Sequence, residues 1–114
     1  MHIVSKYLTV YINDQPAFEY DRETSLEDAQ LEFLDKMDAG MDRGIKMSGE
    51  LFEKPDTEQR IKFVAMNLIN ALQQDDAAKI AVACAYLTNR RSRLIEVRAN
   101  DQDGLVVIDL VDEQ

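Results

Sequence analysis

Residues 7–20 read YLTVYINDQPAFEY, and this stretch decides the fold that we expect for the chain. Apolar and polar side chains alternate from His2 onward, which is typical of a β-strand with one buried face. The polar run 13–15 indicates a turn, and a second short strand follows it. A three-residue loop would place Val10 opposite Phe18, which brings apolar side chains together. The stretch therefore predicts an antiparallel hairpin in this register.

A second hairpin is expected at the other end of the sequence. Residues 94–99 alternate between apolar and charged side chains, and residues 105–111 alternate again. The segment 100–104 between them reads NDQDG, and Asn, Asp and Gly favour turns. Two strands joined by a short turn are therefore predicted here.

Three helices are expected between the two hairpins, because apolar residues there recur every three or four positions. Each predicted helix follows a residue that can accept hydrogen bonds from its first turn. The predicted ranges, with their capping residues, are 25–45 (Thr24 and Glu27), 57–73 (Asp56 and Gln59) and 77–89 (Asp75 or Asp76).

The order ββαααββ, with strands flanking a run of helices, predicts an α+β fold. The simplest arrangement is one four-stranded antiparallel sheet built from the N- and C-terminal hairpins, with the three helices on one face. No repeat or linker divides the sequence, so we expect residues 1–114 to form a single domain.

Charge and composition limit the functional classes. The net charge of −9 disfavours nucleic acid and anionic membrane surfaces as partners. The single cysteine, Cys84, allows no internal disulfide and suits a reducing compartment. No secretory leader or membrane-spanning run is recognisable, so the sequence predicts a soluble cytoplasmic protein.

The segment 35–53, DKMDAGMDRGIKMSGELFE, contains most of the glycines. Gly40, Gly44 and Ser48 share one stripe if the segment is helical, which predicts close packing against the alanines of the third helix. Because glycine also disfavours a helix, the alternative is a bend near residues 44–49. Such a bend could form a small-ligand site, with polar contacts from Asp38, Asp42, Lys46 and Glu50.

Asp35, Asp38 and Asp42 follow helical spacing and would lie on one helix face. Three carboxylates could hold a hard cation. The alternative is a solvated face on which Asp42 pairs with Lys46. Because no EF-hand spacing is present, we expect no metal and no cofactor.

Residues 90–99 contain Arg90, Arg91, Arg93 and Arg98 against a single acidic residue, Glu96. Arginine binds carboxylates and phosphates through two hydrogen bonds, so a patch for an anion or acidic partner is one interpretation, with Arg90 and Arg91 as ligand contacts. Neutralisation of the acidic helices of the same chain is the alternative, and it is favoured. A third interpretation, intermediate between these two, is that the arginines contact the acidic helix of a second subunit.

The sheet face opposite the helices is predicted to be unusually apolar, with Tyr7, Tyr11, Leu105 and Val107 as interface residues. The sequence shows no nucleophile–base arrangement, because no histidine lies near Cys84 in the sequence. The sequence therefore favours a non-catalytic protein-interaction domain, which we expect to be a homodimer. The alternative is a small-ligand or metal-binding protein, or a minor enzyme, with its site at residues 40–49.

Overall fold

The computed structural model describes residues 6–47 and 49–113. Its strands and helices, in chain order, are β1 (Tyr7–Ile12), β2 (Gln15–Asp21), α1 (Asp28–Met41), β3 (Ile45–Met47), β4 (Glu50–Phe52), α2 (Thr57–Gln73), α3 (Ala77–Arg90), β5 (Leu94–Gln102) and β6 (Leu105–Asp112). The predicted α+β class is confirmed. The part of the first strand expected at residues 2–5, and Ser48 of the small-residue stripe, lie outside the described residues.

Four of the strands form one sheet in the order β2-β1-β5-β6. The two hairpins are antiparallel as predicted, but β1 and β5 run parallel, with Val10 next to Val97. The prediction of a fully antiparallel sheet is therefore wrong at its central pair of strands.

The direction of the helices explains the parallel pair. Both ends of α1 lie near the same end of the sheet: Leu31 lines a cavity with Ser92, and Asp38 accepts a hydrogen bond from Arg90, the last residue of α3. Thus α1 lies beside α2 and α3 and does not carry the chain from one end of the sheet to the other. Only the pair α2 and α3 runs the length of the sheet, out and back, so β5 starts at the end where β1 starts.

The N-terminal hairpin has the predicted register, with Val10 opposite Phe18 and Leu8 opposite Tyr20. Its loop has two residues instead of three, because Asn13 and Asp14 both take positive φ angles, 50° and 66°. A bulge after Val10 restores the register that side-chain burial requires.

The middle helix, α2, has the predicted range and cap. The Asp56 carboxylate accepts from the Gln59 backbone N–H at 2.8 Å, and the Gln59 side chain accepts from the Asp56 N–H at 2.9 Å. The third helix also begins where predicted, since Asp76 accepts from the Lys79 N–H. The cap predicted at Thr24 for the first helix is wrong, because Glu27 is the N-cap and Gln30 accepts its N–H.

The glycine-rich segment contains the predicted break. Helix α1 ends at Met41, Gly44 takes a φ of +112°, and the segment continues as the short hairpin β3–β4, which was not predicted. The prediction of close packing at Gly40 is wrong, because a Cβ atom there would meet nothing within 4 Å. A helical stripe of small residues does not form.

The hydrophobic core lies between the sheet and the helices. Its fully buried members include Leu8, Val10 and Val97 from the sheet and Leu68 and Leu87 from α2 and α3. The strand residues that alternate with them point to the opposite side of the sheet and remain accessible. We call that side the outer face. Among the described residues, the buried side chains of the sheet pack with those of the helices in one core.

Candidate functional site

A polar cluster joins the three helices, and we call it the aspartate–arginine network. Its members are Asp35 and Asp38 of α1, Asp42 directly after α1, Arg60 of α2, and Tyr86 and Arg90 of α3. Asp38 is at its centre. Its carboxylate accepts from the Tyr86 hydroxyl at 2.5 Å, from Arg90 Nε at 3.0 Å and from Arg60 Nη1 at 3.4 Å.

The flanking carboxylates complete the network. Asp35 binds Arg90 at 2.8 Å, and Asp42 binds Arg60. Arg60 also donates to the backbone carbonyls of Pro55 and Asp38 at 3.1 and 3.2 Å. These contacts attach α1 to the other two helices, because α1 buries only Leu34 and Met41.

The protonation states of the network follow from its geometry. Burial opposes the charged form of Asp38, but hydrogen bonds from Tyr86, Arg90 and Arg60 outweigh it and lower the pKa of this carboxyl. Burial, followed by the hydrogen bond to Asp38, raises the pKa of the Tyr86 hydroxyl. Asp38 is therefore a carboxylate and Tyr86 a neutral donor near pH 7.

Only some of the ligand-binding residues predicted from the sequence belong to this network. Asp38, Asp42 and Arg90 do come together, but Asp38 and Arg90 bind each other and Asp42 binds Arg60. Lys46 and Glu50 lie exposed on the β3–β4 hairpin, and neither forms an ion pair within the described part of the chain. The pairing predicted between Asp42 and Lys46 is replaced by Asp42 with Arg60.

Arg91 belongs to a second cluster. It binds Asp112 with two hydrogen bonds, at 2.9 and 2.8 Å, and Glu58 at the start of α2 at 2.8 Å. Arg93 donates to the backbone carbonyl of Glu113, and Arg98 binds Glu96. The arginines of residues 90–99 thus contact acidic residues or carbonyls of the same chain, which supports the neutralisation that the sequence favours.

Metal binding and thiol chemistry find no site in the described residues. Across 6–47 and 49–113 no group of three or more His, Cys, Asp or Glu side chains is arranged to hold a metal ion. Cys84 is fully buried, and burial raises the pKa of its thiol to about 12. A thiol in this state is not a nucleophile near neutral pH.

The outer face of the sheet is the second candidate site, and it places the four predicted interface residues on one side. Tyr7, Leu105 and Val107 are 39%, 69% and 38% exposed, and Tyr11 is partly exposed. The tyrosines line β1 and the aliphatic residues line β6, with β5 between them.

The middle row of the outer face, on β5, is charged. Arg98 lies over the ring of Tyr11 at 4.1 Å from its centroid, binds Glu96 at 2.7 Å and lies 3.7 Å from Asp14. The sequence did not indicate this row, because it depends on β5 lying next to β1. Two signals in the sequence pointed to the aspartate–arginine network: the helical spacing of Asp35, Asp38 and Asp42, and the arginines of residues 90–99.

Comparison with known proteins gives no relative. No family model matches the chain, and neither a curated protein nor a solved structure shows significant similarity to it. Within residues 6–47 and 49–113, none of the helices has both the length and the apolar character needed to cross a bilayer.

Proposed function

We propose that this chain is a non-catalytic protein-interaction domain that forms a homodimer through the outer face of its sheet. The observation on which the proposal depends is that this face, with Tyr7, Tyr11, Leu105 and Val107, is left uncovered by the helices of the chain. Exposed apolar groups gathered on one surface are typical of interfaces. Tyrosine and arginine are also enriched there, because they combine contact area with polar tips.

The arrangement of the three rows suits contact with an identical surface. A two-fold axis perpendicular to the strands would place β5 opposite the antiparallel β5 of the second subunit. Glu96 and Arg98 have opposite charges and are two residues apart. If the axis passes near Val97, Glu96 of each subunit would face Arg98 of the other. The apolar rows on β1 and β6 would lie on either side of this charged centre.

The size of the face sets the expected affinity. Four strands spaced about 4.8 Å apart and about six residues long, at about 3.3 Å per residue, cover roughly 400 Å² in projection. Stable interfaces bury about 800 Å² of accessible surface on each partner. Because this face is smaller than a standard interface and has a charged row, we expect dissociation in the micromolar range or weaker.

Sedimentation equilibrium tests the proposal with three proteins. The wild-type chain should sediment with twice its 13.0 kDa mass at concentrations well above the dissociation constant. The double variant Tyr7→Ser plus Val107→Ser should remain a monomer, because it removes one apolar group from each row. The matched control Leu51→Ser removes a residue that is 61% exposed on the β3–β4 hairpin and should dimerise like the wild type.

Two results would contradict the proposal. One is a wild-type chain that remains a monomer at millimolar concentration. The other is a double variant that dimerises as tightly as the Leu51→Ser control, which would place the interface on another surface. Circular dichroism of the variants establishes that each is folded.

A further inference from the structure

The two outer strands of the four-stranded sheet differ in how well their open edges are protected. Among the described residues, β2 and β6 each have a neighbouring strand on one side only. Such a strand directs half of its backbone N–H and C=O groups outward, and folded proteins usually block this edge with proline, a bulge or charged side chains. The β2 edge has Pro16, which cannot donate, and a bulge at Ala17. It is therefore poorly suited to pairing with a further strand.

The β6 edge lacks these features. Residues 105–112 contain no proline and no lysine, and the bulge of the β5–β6 hairpin is at Ile95, in β5. The first three residues of β6, Leu105, Val106 and Val107, are apolar and exposed. A regular, apolar edge strand of 8 residues is a template for pairing with another chain.

The hairpin loop determines which backbone groups of β6 face outward. Its two residues both take positive φ angles, 54° and 84°, as in the tight turns that join antiparallel strands. The pair that closes such a loop, here Gln102 and Leu105, exchanges hydrogen bonds, and hydrogen-bonded and non-hydrogen-bonded pairs then alternate along the ladder. The backbone groups that face away from β5 therefore belong to Val106, Ile108 and Leu110.

The charges beside this edge determine which partner it favours. Within the described part of the chain Asp109 is exposed and forms no ion pair. A second copy of β6 would bring like charges together, which is unfavourable, whereas a strand with basic side chains would meet them with opposite charge. Residues 101–113 include no basic residue, and their acidic residues are Asp101, Asp103, Asp109, Asp112 and Glu113.

We propose that the β6 edge binds an extended basic segment of a partner protein, which adds an antiparallel fifth strand to the sheet. Backbone hydrogen bonds with Val106, Ile108 and Leu110 hold the segment. Its lysine or arginine side chains lie on the outer face beside Asp109, and its apolar side chains alternate with them on the core side, beside Ile108. The inference goes beyond the proposed dimer and is independent of it, because two sheets stacked face to face leave the β6 edges open.

Fluorescence anisotropy with a labelled peptide tests the charge of the partner. The probe is as long as β6, 8 residues, alternates lysine with valine, and has both ends blocked. The wild-type chain should bind this peptide and should bind a peptide of alternating glutamate and valine much more weakly. An ionic strength of about 0.15 M screens charges more than about 8 Å apart, so the comparison reports the charges near the edge.

Two N-methylated forms of the lysine–valine peptide test the backbone pairing. In an antiparallel fifth strand the valine residues lie opposite Val106, Ile108 and Leu110, so the valine N–H groups face β6 and the lysine N–H groups face solvent. Methylation of the valine nitrogens should therefore abolish binding, and methylation of the lysine nitrogens should preserve it. The protein is unmodified in these comparisons, so they do not depend on how a variant folds.

Variants then locate the site. Val106→Pro should weaken binding about fivefold or more, because it removes an outward donor and leaves the pairing with β5 intact. The matched control Val106→Thr keeps the N–H and should bind like the wild type. Asp109→Lys should weaken binding several-fold, whereas Glu19→Lys makes the same change in net charge at the β2 edge and should leave the affinity unchanged. Circular dichroism establishes that each variant is folded.

Three results would overturn the proposal. The first is the absence of binding of the lysine–valine peptide to the wild-type chain at millimolar concentration. The second is any pattern other than a selective loss with the valine-methylated peptide, since it contradicts an antiparallel fifth strand. The third is a wild-type dimer that Val106→Pro converts to a monomer while Tyr7→Ser plus Val107→Ser leaves it intact, which would assign the β6 edge to a second copy of the chain.

Discussion

The two faces of the four-stranded sheet are made by the same strands but differ in how deeply their side chains are buried. On the inner face Leu8, Val10 and Val97 are completely buried under the helices. On the outer face Tyr7, which precedes Leu8, and Val107 of β6 remain more than a third exposed. Because successive residues of a strand point to opposite faces, adjacent positions separate the buried core from the surface that we propose for association. Substitutions one residue apart along a strand can therefore test stability and association separately.

The largest expected effect is on the inner face. Leu8→Ala should lower the free energy of unfolding by about 2–5 kcal/mol, because it removes a fully buried side chain and leaves a cavity. The neighbouring outer-face variant Tyr7→Ser should lower it by less than about 1 kcal/mol. Denaturant unfolding below the dimer dissociation constant measures both values. Equal losses would mean that the two faces are not distinct.

A polar contact on the helical side gives the next largest effect. Asp38→Asn should lower the free energy of unfolding by about 2 kcal/mol, because Tyr86, Arg90 and Arg60 lose a charged acceptor. Asp35→Asn is the matched control, since the Asp35 side chain is 78% exposed and exposed ion pairs contribute little. If the two variants were equally stable, the network would not hold α1 to the other helices.

The same carboxylate predicts how stability depends on pH. The pKa of Asp38 is lower in the folded chain than its ordinary value of 3.8. Its contribution is therefore complete above about pH 5 and is lost as the pH falls through the folded-state value. The difference in unfolding free energy between wild type and Asp38→Asn should shrink when the pH falls from 5 to 2. A difference that stays constant over this range would contradict the lowered pKa.

The features of the fold that the sequence predicted correctly are those that depend on residues close to one another in the sequence. The register of the first hairpin and the range and cap of α2 follow from side chains within a few positions of one another. The parallel pairing of β1 with β5 did not follow, because it depends on the direction of α1. That direction is fixed by contacts such as Arg90 with Asp38, which are 52 residues apart. No local pattern contains such a contact.

The candidate sites show the same limit. Asp38 and Arg90 were candidates for ligand contact, with neutralisation within the chain as the favoured interpretation of Arg90, and each is the partner of the other. The alternation of residues 94–99 predicts that Glu96 and Arg98 share one face of a strand, but only the sheet order places them between two apolar rows.

A smaller effect concerns the end of α1, which helps to cover the inner face. Gly40→Ala should raise the free energy of unfolding by about 0.5–1 kcal/mol, since the helix has open space there. Gly44→Ala should lower it by about 1 kcal/mol or more, because Gly44 takes a positive φ and a Cβ would approach the Phe52 carbonyl at 3.4 Å. Thermal unfolding of both variants checks the opposite signs. The same sign for both would contradict the position of the helix end.

The smallest effect on stability is expected at the charged row of the outer face. Arg98→Gln should leave the unfolding free energy nearly unchanged, because exposed ion pairs contribute little to stability. It should nevertheless weaken dimerisation several-fold, since Arg98 covers Tyr11 and would face Glu96 of the second subunit. Sedimentation equilibrium and denaturant unfolding of one preparation separate the two effects. A large loss of stability without any change in association would place Arg98 in the fold and not in the interface.

The most direct test of an interface on the outer face is a dilution series followed by the backbone amide NMR signals of the wild-type chain. Dilution from millimolar to low micromolar concentration should shift the signals of outer-face residues such as Tyr11, Arg98 and Val107, and leave those of α2 unchanged. Signals that do not move at any concentration, or that move mainly in α1 and α3, would contradict dimerisation through this face.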